Sequence, residues 1–220
     1  MKQNYTKIVF VIDRSGSMER IKNDMNGGFK TFIDAQKSAN LGKCDVSVYQ
    51  FDHELEPVFE HKNIMDSPSY ALVPRGGTAL YDAVGKTILK VGAQLGAMDE
   101  NERPDRVMMV IITDGEENSS VEFNVKKIKE MVTHQTDVYH WQFTYLGSNQ
   151  DAWEVGKTLG VASASTLTYA NNARGVNSSW TSLSEATKGY RSAEVVGTGS
   201  FAYTNSDLEE QSEALKEPQK

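Results

Sequence analysis

The chain has 220 residues, 39% hydrophobic and 24% charged, with 23 basic against 30 acidic side chains and a formal net charge of −7. That length and balance suit one soluble globular domain, perhaps with an appendage, and exclude a general nucleic-acid binder, which needs clustered Lys and Arg. The one cysteine, Cys44, excludes an internal disulfide framework and any CxxC metal or redox motif, so a reducing, cytoplasmic setting is expected.

Lys7–Ile12 is a β-branched and aromatic run that reads as a buried strand. It is too short for a signal peptide, and nowhere does the chain approach the ~20 apolar residues of a membrane span, so no membrane association is expected. Met18, Ile21, Met25, Phe29 and Phe32 follow at steps of three and four and read as an amphipathic helix. Asp45–Phe51 is a second strand, and Leu55–His61 a third. The short turn Asp52–Glu54 between them makes a hairpin, so the third strand is expected to be an antiparallel edge.

Residues 62–78 are broken by Pro68, Pro74, Gly76 and Gly77. Leu80, Val84, Thr87, Val91 and Leu95 mark the next helix, and Asp99–Pro104 is a charged turn. Arg106–Ile112 is the most apolar run, as a central strand covered by helices on both faces would be. Val121, Val125, Ile128 and Val132 give a helix and Val138–Leu146 a strand. Asp151–Leu159 gives a short helix, Ser165–Tyr169 a short strand, and Arg174–Tyr190 a last helix. The fold class is therefore α/β, a doubly wound and mostly parallel six-stranded sheet with one antiparallel edge strand and helices on both faces. The domain spans residues 1–192. Residues 193–220 read as an acidic C-terminal tail, either mobile or docked through Leu208 and Leu215.

Ligand sites in such sheets lie at the carboxyl ends of the strands. That edge gathers the Asp13–Met18 loop, the Asp52–Glu54 turn, the Thr113–Ser119 loop and the Gly147–Gln150 loop, with Gly76–Thr78 beside them. Asp13, Ser15, Ser17, Thr78 and Asp114 thus place two carboxylates and three hydroxyls on adjacent loops. An oxygen-only donor set suits a hard cation, Mg²⁺ or Mn²⁺ before Zn²⁺. Each of Asp13, Ser17 and Thr78 alone would also serve as a helix cap, but capping does not account for the set.

These residues resemble a known family. Asp13-x-Ser15-x-Ser17, followed by Thr78 and Asp114, is similar to the metal-ion-dependent adhesion site of von Willebrand factor A domains, over about residues 5–192. RGGTALYDAV and IITDGEE look like its bacterial and phage branch. The resemblance implies that Ser15, Ser17 and Thr78 ligate the metal directly and that Asp13 and Asp114 act through water. It further implies a partner protein's Glu or Asp as the remaining ligand, a function as adaptor or scaffold without catalysis, and, among prokaryotic relatives, partners such as AAA+ ATPases. Two other classes compete. One is a Mg²⁺-dependent phosphatase or phosphotransferase with Asp13 as nucleophile, although Ser15 stands where such enzymes want a second Asp. The other is a structural assembly protein whose metal only braces loops.

Among neighbouring residues, Asp82 reads as support for the site or as a carboxylate at a helix N-terminus. Glu116 and Glu117 read as a solvated helix-entry pair. Arg14 is expected to face solvent or a partner, and Arg75 to be placed to meet a partner carboxylate. Asp52-His53-Glu54 reads as a hairpin turn. Trp141, Trp153 and Trp180 read as packing residues, and Cys44 as a core residue.

Overall fold

The structure is a computed structural model, and it describes residues 2–148, 151–195 and 200–217. Strand β1 (Lys2–Asp13) leads through a 3-10 turn (Gly16–Arg20) into helix α1 (Lys22–Ser38). Then come β2 (Lys43–Phe51), β3 (Leu55–Asn63), α2 (Leu80–Gly96), β4 (Pro104–Thr113), α3 (Val125–Tyr139) and β5 (Gln142–Gly147). The chain continues through α4 (Ala152–Leu159), β6 (Thr166–Thr168), α5 (Ala173–Ser192) and α6 (Asn205–Ala214).

The strands form a six-stranded sheet in the order β3-β2-β1-β4-β5-β6, with only β3 antiparallel to its neighbour. This is the doubly wound sheet expected from the sequence. β1 and β4 lie side by side in the middle, with Ile8 opposite Met108 and Ile12 opposite Ile112. Strand alternation divides their side chains between two cores. Ile8, Phe10 and Ile12 pack under α1 and α5, whereas Val9 and Val11 pack under α2 and α3. Trp180 of α5 sits at the centre of the first core, its ring 5.9 to 6.1 Å from those of Phe10, Phe29 and Phe32. Gly28 of α1 makes this approach possible, because a Cβ there would lie 1.9 Å from Trp180 Cδ1.

Four local expectations are corrected. Met18 is buried but lies in the 3-10 turn, and α1 starts only at Lys22. Val121 is 89% exposed and precedes α3, whose N-cap is Asn124, accepting from Lys127 N at 3.0 Å. Val138 and Tyr139 belong to the last turn of α3, not to β5. Helix hydrogen bonding carries through their β-favouring side chains until His140 adopts φ 56° and ends it. Trp153 is not a packing residue like the buried Trp141 and Trp180, but lies half-exposed beneath Lys157 Nζ.

Beyond α5, Phe201 and Tyr203 are buried in the first core, and α6 lies against α5 and β6. Thr204 and Asp207 form a capping box that starts α6. Leu208 and Leu215 are about half exposed, and the contact is made by Gln211 and Ala214 instead. Among the described residues no helix is long and apolar enough to cross a membrane.

Candidate metal site

Parallel strands β1 and β4 end side by side, so Asp13 and Asp114 emerge at the same edge of the sheet. Asp13 is completely buried. Its Oδ1 accepts from Ser15 N at 2.6 Å, the Asx-type turn that swings the chain out of β1. Its Oδ2 accepts from the Thr113 hydroxyl at 2.6 Å. Ser15 Oγ lies 3.0 Å from Ser17 Oγ, and the Ser17 hydroxyl donates to Asp114 Oδ1 at 2.5 Å.

Thr78 reaches the same place from the α2 side. A Cβ built on Gly115 would lie 3.0 Å from Thr78 Oγ1, and 3.7 Å from both Asp13 Oδ2 and Ser17 Oγ. The bare Cα of Gly115 therefore leaves a cradle walled by the oxygens of separate loops. All five sequence-predicted residues meet there. Asp13, Ser15, Thr78 and Asp114 are buried and Ser17 is exposed, so the cradle opens to solvent at Ser17.

Backbone hydrogen bonds lace the loops together. Gly16 N donates to Gly76 O at 3.2 Å, Arg75 N to Arg14 O at 2.6 Å and Ala79 N to Asp52 O at 2.7 Å. Gly76 adopts φ +72°, a left-handed conformation that glycine takes without strain. Thr78 is held on both sides by Asn118, whose Oδ1 accepts from Thr78 N and whose N donates to Thr78 O, each at 3.0 Å.

Burial raises the Asp13 carboxyl to about 6, against the opposing pull of its Thr113 and Ser15 hydrogen bonds. Burial also raises Asp114, partly countered by Ser17 and Asn171. Asp13 makes no ion pair among the described residues. A buried carboxylate without a counter-charge, set among hydroxyls and a second carboxylate, fits a bound cation. The donors are all hard oxygens. Among the described residues no cluster of three or more His, Cys, Asp or Glu side chains could hold a metal, and this donor set joins two carboxylates with three hydroxyls.

Arg14 does not face solvent or a partner. It is 4% exposed and pairs with Asp52 at 3.0 Å and Glu56 at 2.7 Å. Arg75, half exposed, also pairs with Asp52 and Glu56. Both guanidiniums thus brace the β2–β3 turn, where Asp52 also accepts from Glu54 N. Asp82 is more than a carboxylate at a helix N-terminus, since it accepts from the backbone N–H groups of Val121, Glu122 and Phe123. Glu117 is no solvated helix-entry residue. It accepts from Tyr81 N, Ser119 N, Ser120 N and the Ser120 hydroxyl. Asp82 and Glu117 together lock the loop after Asp114 to the helix after Thr78. Glu116 is exposed.

Ser148 N donates to Thr113 O at 3.1 Å, so the start of the Gly147–Gln150 loop joins this edge. Asn149 and Gln150 lie outside the described residues. The sequence reading missed Thr113, whose hydroxyl orients Asp13, although it stands beside Asp114. It also missed Asn171, whose Nδ2 lies 3.5 Å from Asp114 Oδ2 across 57 positions of chain, with no local motif to mark it.

An open, mostly parallel α/β sheet with oxygen-bearing loops gathered at its carboxyl edge defines a class of doubly wound domains. Within that class the chain belongs to the von Willebrand factor type A domain family, whose model matches residues 7–178. No curated protein matches the chain. Solved structures similar in fold include the mussel byssus proximal thread matrix protein 1 with a zinc-occupied MIDAS motif (13% identity, TM-score 0.59, 84% of this chain, 46% of that one). Others are the ArnB paralog VWA2 from Sulfolobus acidocaldarius (18%, TM-score 0.53, 82% and 44%) and the pilus adhesin SpaC from Lactobacillus rhamnosus GG (17%, TM-score 0.60, 85% and 30%). The chain spans less than half the length of each of these proteins, and the likeness is one of fold.

Proposed function

We propose that Asp13, Ser15, Ser17, Thr78 and Asp114 hold a Mg²⁺ or Mn²⁺ ion and that the domain is a non-enzymatic, metal-dependent protein-binding module. The observation that carries this reading is the Gly115 cradle, where the Thr78 and Ser17 hydroxyls meet the buried Asp13, which makes no ion pair among the described residues. A cation bound there would supply a positive point that a Glu or Asp carboxylate of a partner can complete. The hydroxyls of Ser15, Ser17 and Thr78 are neutral donors and leave that charge largely uncancelled. Exposed Arg20, at the end of the 3-10 turn that carries Ser17, adds positive charge felt at Asp114 on the open side. The setting proposed is a cytoplasmic adaptor or scaffold, of the kind that works beside AAA+ ATPases.

Calorimetric titration with Mg²⁺ and Mn²⁺ tests the site. Binding is expected in the wild type and a loss of at least about 10-fold in Ser17→Ala and Thr78→Val. A partner retained in Mg²⁺ should elute with EDTA and fail to bind Asp13→Ala. Metal-independent capture would sink the module reading, and Mg²⁺-dependent phosphatase turnover lost in Asp13→Asn would replace it with an enzyme.

A further inference from the structure

The family match ends at residue 178, but the chain beyond α5 folds back against the turn that joins β6 to α5. After α5, the segment holding Phe201 and Tyr203 runs past β5 and β6. Tyr203 N donates to Ala164 O at 2.9 Å, and its hydroxyl meets Thr144 Oγ1 at 2.9 Å. This anchors α6 over the turn that joins β6 to α5.

Gln211 of α6 is 3% exposed and divides its amide between that turn and the start of α5. Its Oε1 accepts from Ala170 N at 3.0 Å. Its Nε2 donates to Gly175 O at 3.0 Å and Ser178 Oγ at 2.7 Å. Asn172 adds a second tie, with Nδ2 donating to Ala214 O at 2.8 Å while its Oδ1 caps α5 through Gly175 N. The exposed pairs of Arg174 with Glu210 and Glu217 contribute little by comparison, because water screens them. A single buried side chain of α6 therefore ties the turn, at Ala170, to the start of α5, at Gly175 and Ser178.

Asn171 stands between Ala170 and Gly175. Its Nδ2 approaches Asp114 Oδ2 at 3.5 Å, and its Oδ1 is buried with no hydrogen-bond partner among the described residues. That contact is long, so small displacements of the turn decide whether it forms. The cost of leaving the amide oxygen unpaired is borne by a rigid turn and would drive a loose one to rearrange.

We propose that α6 is a clamp on the candidate metal site. Through Gln211 it fixes the Ala170–Asn172 turn, and so holds the Asn171 amide against Asp114. Asn171 and Gln211 are then positioning residues, and residues beyond the family-matched segment tune the affinity of the site for its cation. The inference rests on the metal reading given above.

The test uses the full chain and Mn²⁺ alone, with affinity from calorimetry and melting temperature recorded beside it. Asn171→Ala is expected to weaken Mn²⁺ binding about 10-fold, as loss of a group orienting a metal-site carboxylate does. Gln211→Ala is expected to weaken it in the same direction and to speed hydrogen exchange at the Ala170 amide. The double variant should bind no more weakly than Asn171→Ala, since both act through one contact. Gln211→Ala that lowers the melting temperature but leaves Mn²⁺ affinity within about two-fold of wild type overturns the clamp, as do additive effects in the double variant. Wild-type protein that binds no Mn²⁺ overturns the metal reading itself. Binding lost in Asp13→Ala but unchanged in Gln211→Ala and Asn171→Ala overturns the clamp alone.

Discussion

Replacing Asp13 by Asn should stabilise the metal-free protein at neutral pH. Asp13 is fully buried, and its carboxyl is raised from 3.8 to about 6 by loss of hydration. A raised carboxyl pKa means that the folded state binds the proton more tightly than the unfolded one. Stability from this group is therefore present at low pH and falls as pH rises from about 4 through 6. At about 1.36 kcal/mol per pH unit of difference, ionised Asp13 costs the fold about 3 kcal/mol at pH 7.5 and about 1 kcal/mol at pH 4.5. An Asn side chain removes the charge and keeps the hydrogen bonds. Its oxygen can accept from Ser15 N, while the Thr113 hydroxyl can turn its proton to Gly115 O, 3.1 Å away, and accept from the new amide. Urea unfolding in EDTA should thus show Asp13→Asn more stable by about 2–3 kcal/mol at pH 7.5, with most of the difference gone at pH 4.5. Saturating Mg²⁺ at about 100 times its Kd should add about 2.7 kcal/mol to the wild type and nothing to the variant. An Asp13→Asn protein no more stable than wild type at pH 7.5, at unchanged m-value, would refute the claim that the site holds a desolvated charge.

Gly115→Ala should retain the fold and lose metal binding, because its methyl would sit among Thr78 Oγ1, Asp13 Oδ2 and Ser17 Oγ. Its backbone lies outside the left-handed region, so the melting temperature should move by no more than about 4 °C, and calorimetry should read no Mn²⁺ heat. Unaltered Mn²⁺ binding would place the ion elsewhere. Adjacent glycines in α1 should give opposite signs in urea unfolding. Gly27→Ala meets nothing within 4 Å and should stabilise by about 0.5–1 kcal/mol, whereas Gly28→Ala drives a methyl into Trp180 and should cost at least about 2 kcal/mol. Equal effects at the two positions would contradict the α1–α5 packing.

The sheet was legible because its pattern is local. A strand apolar on both faces, such as Arg106–Ile112, has few places to go other than the middle of a covered sheet, and a three-residue turn after Phe51 leaves β3 only the antiparallel edge. Element ends were less legible, since hydrogen bonding and caps decide them. Val138 and Tyr139 favour strands yet finish α3 until His140 closes it. Val121 keeps the helical spacing, but its backbone N–H is held by Asp82, 39 positions earlier in the chain.

The cradle residues were legible for a related reason. Asp13, Ser15, Ser17 and Asp114 stand at or just after the ends of β1 and β4, which the strand order brings to one edge, and Thr78 stands just before α2. What holds them in place was not legible. Arg14 looks like a free cation in the sequence, and only the fold gives it Asp52 and Glu56 as partners. Glu117 looks like a surface acid until it is seen capping Tyr81 N and its own loop.

By itself the sequence determined the sheet, its one antiparallel edge and the oxygen donors, because these follow from the apolar pattern within each segment and from residue chemistry. The tertiary structure alone decided that Gly115 leaves a cradle for those oxygens, that both arginines are spent on the β2–β3 turn, and that the segment after α5 returns to grip the turn carrying Asn171. Each of these depends on contacts between residues tens of positions apart, and such contacts leave no period or spacing in the chain to be read.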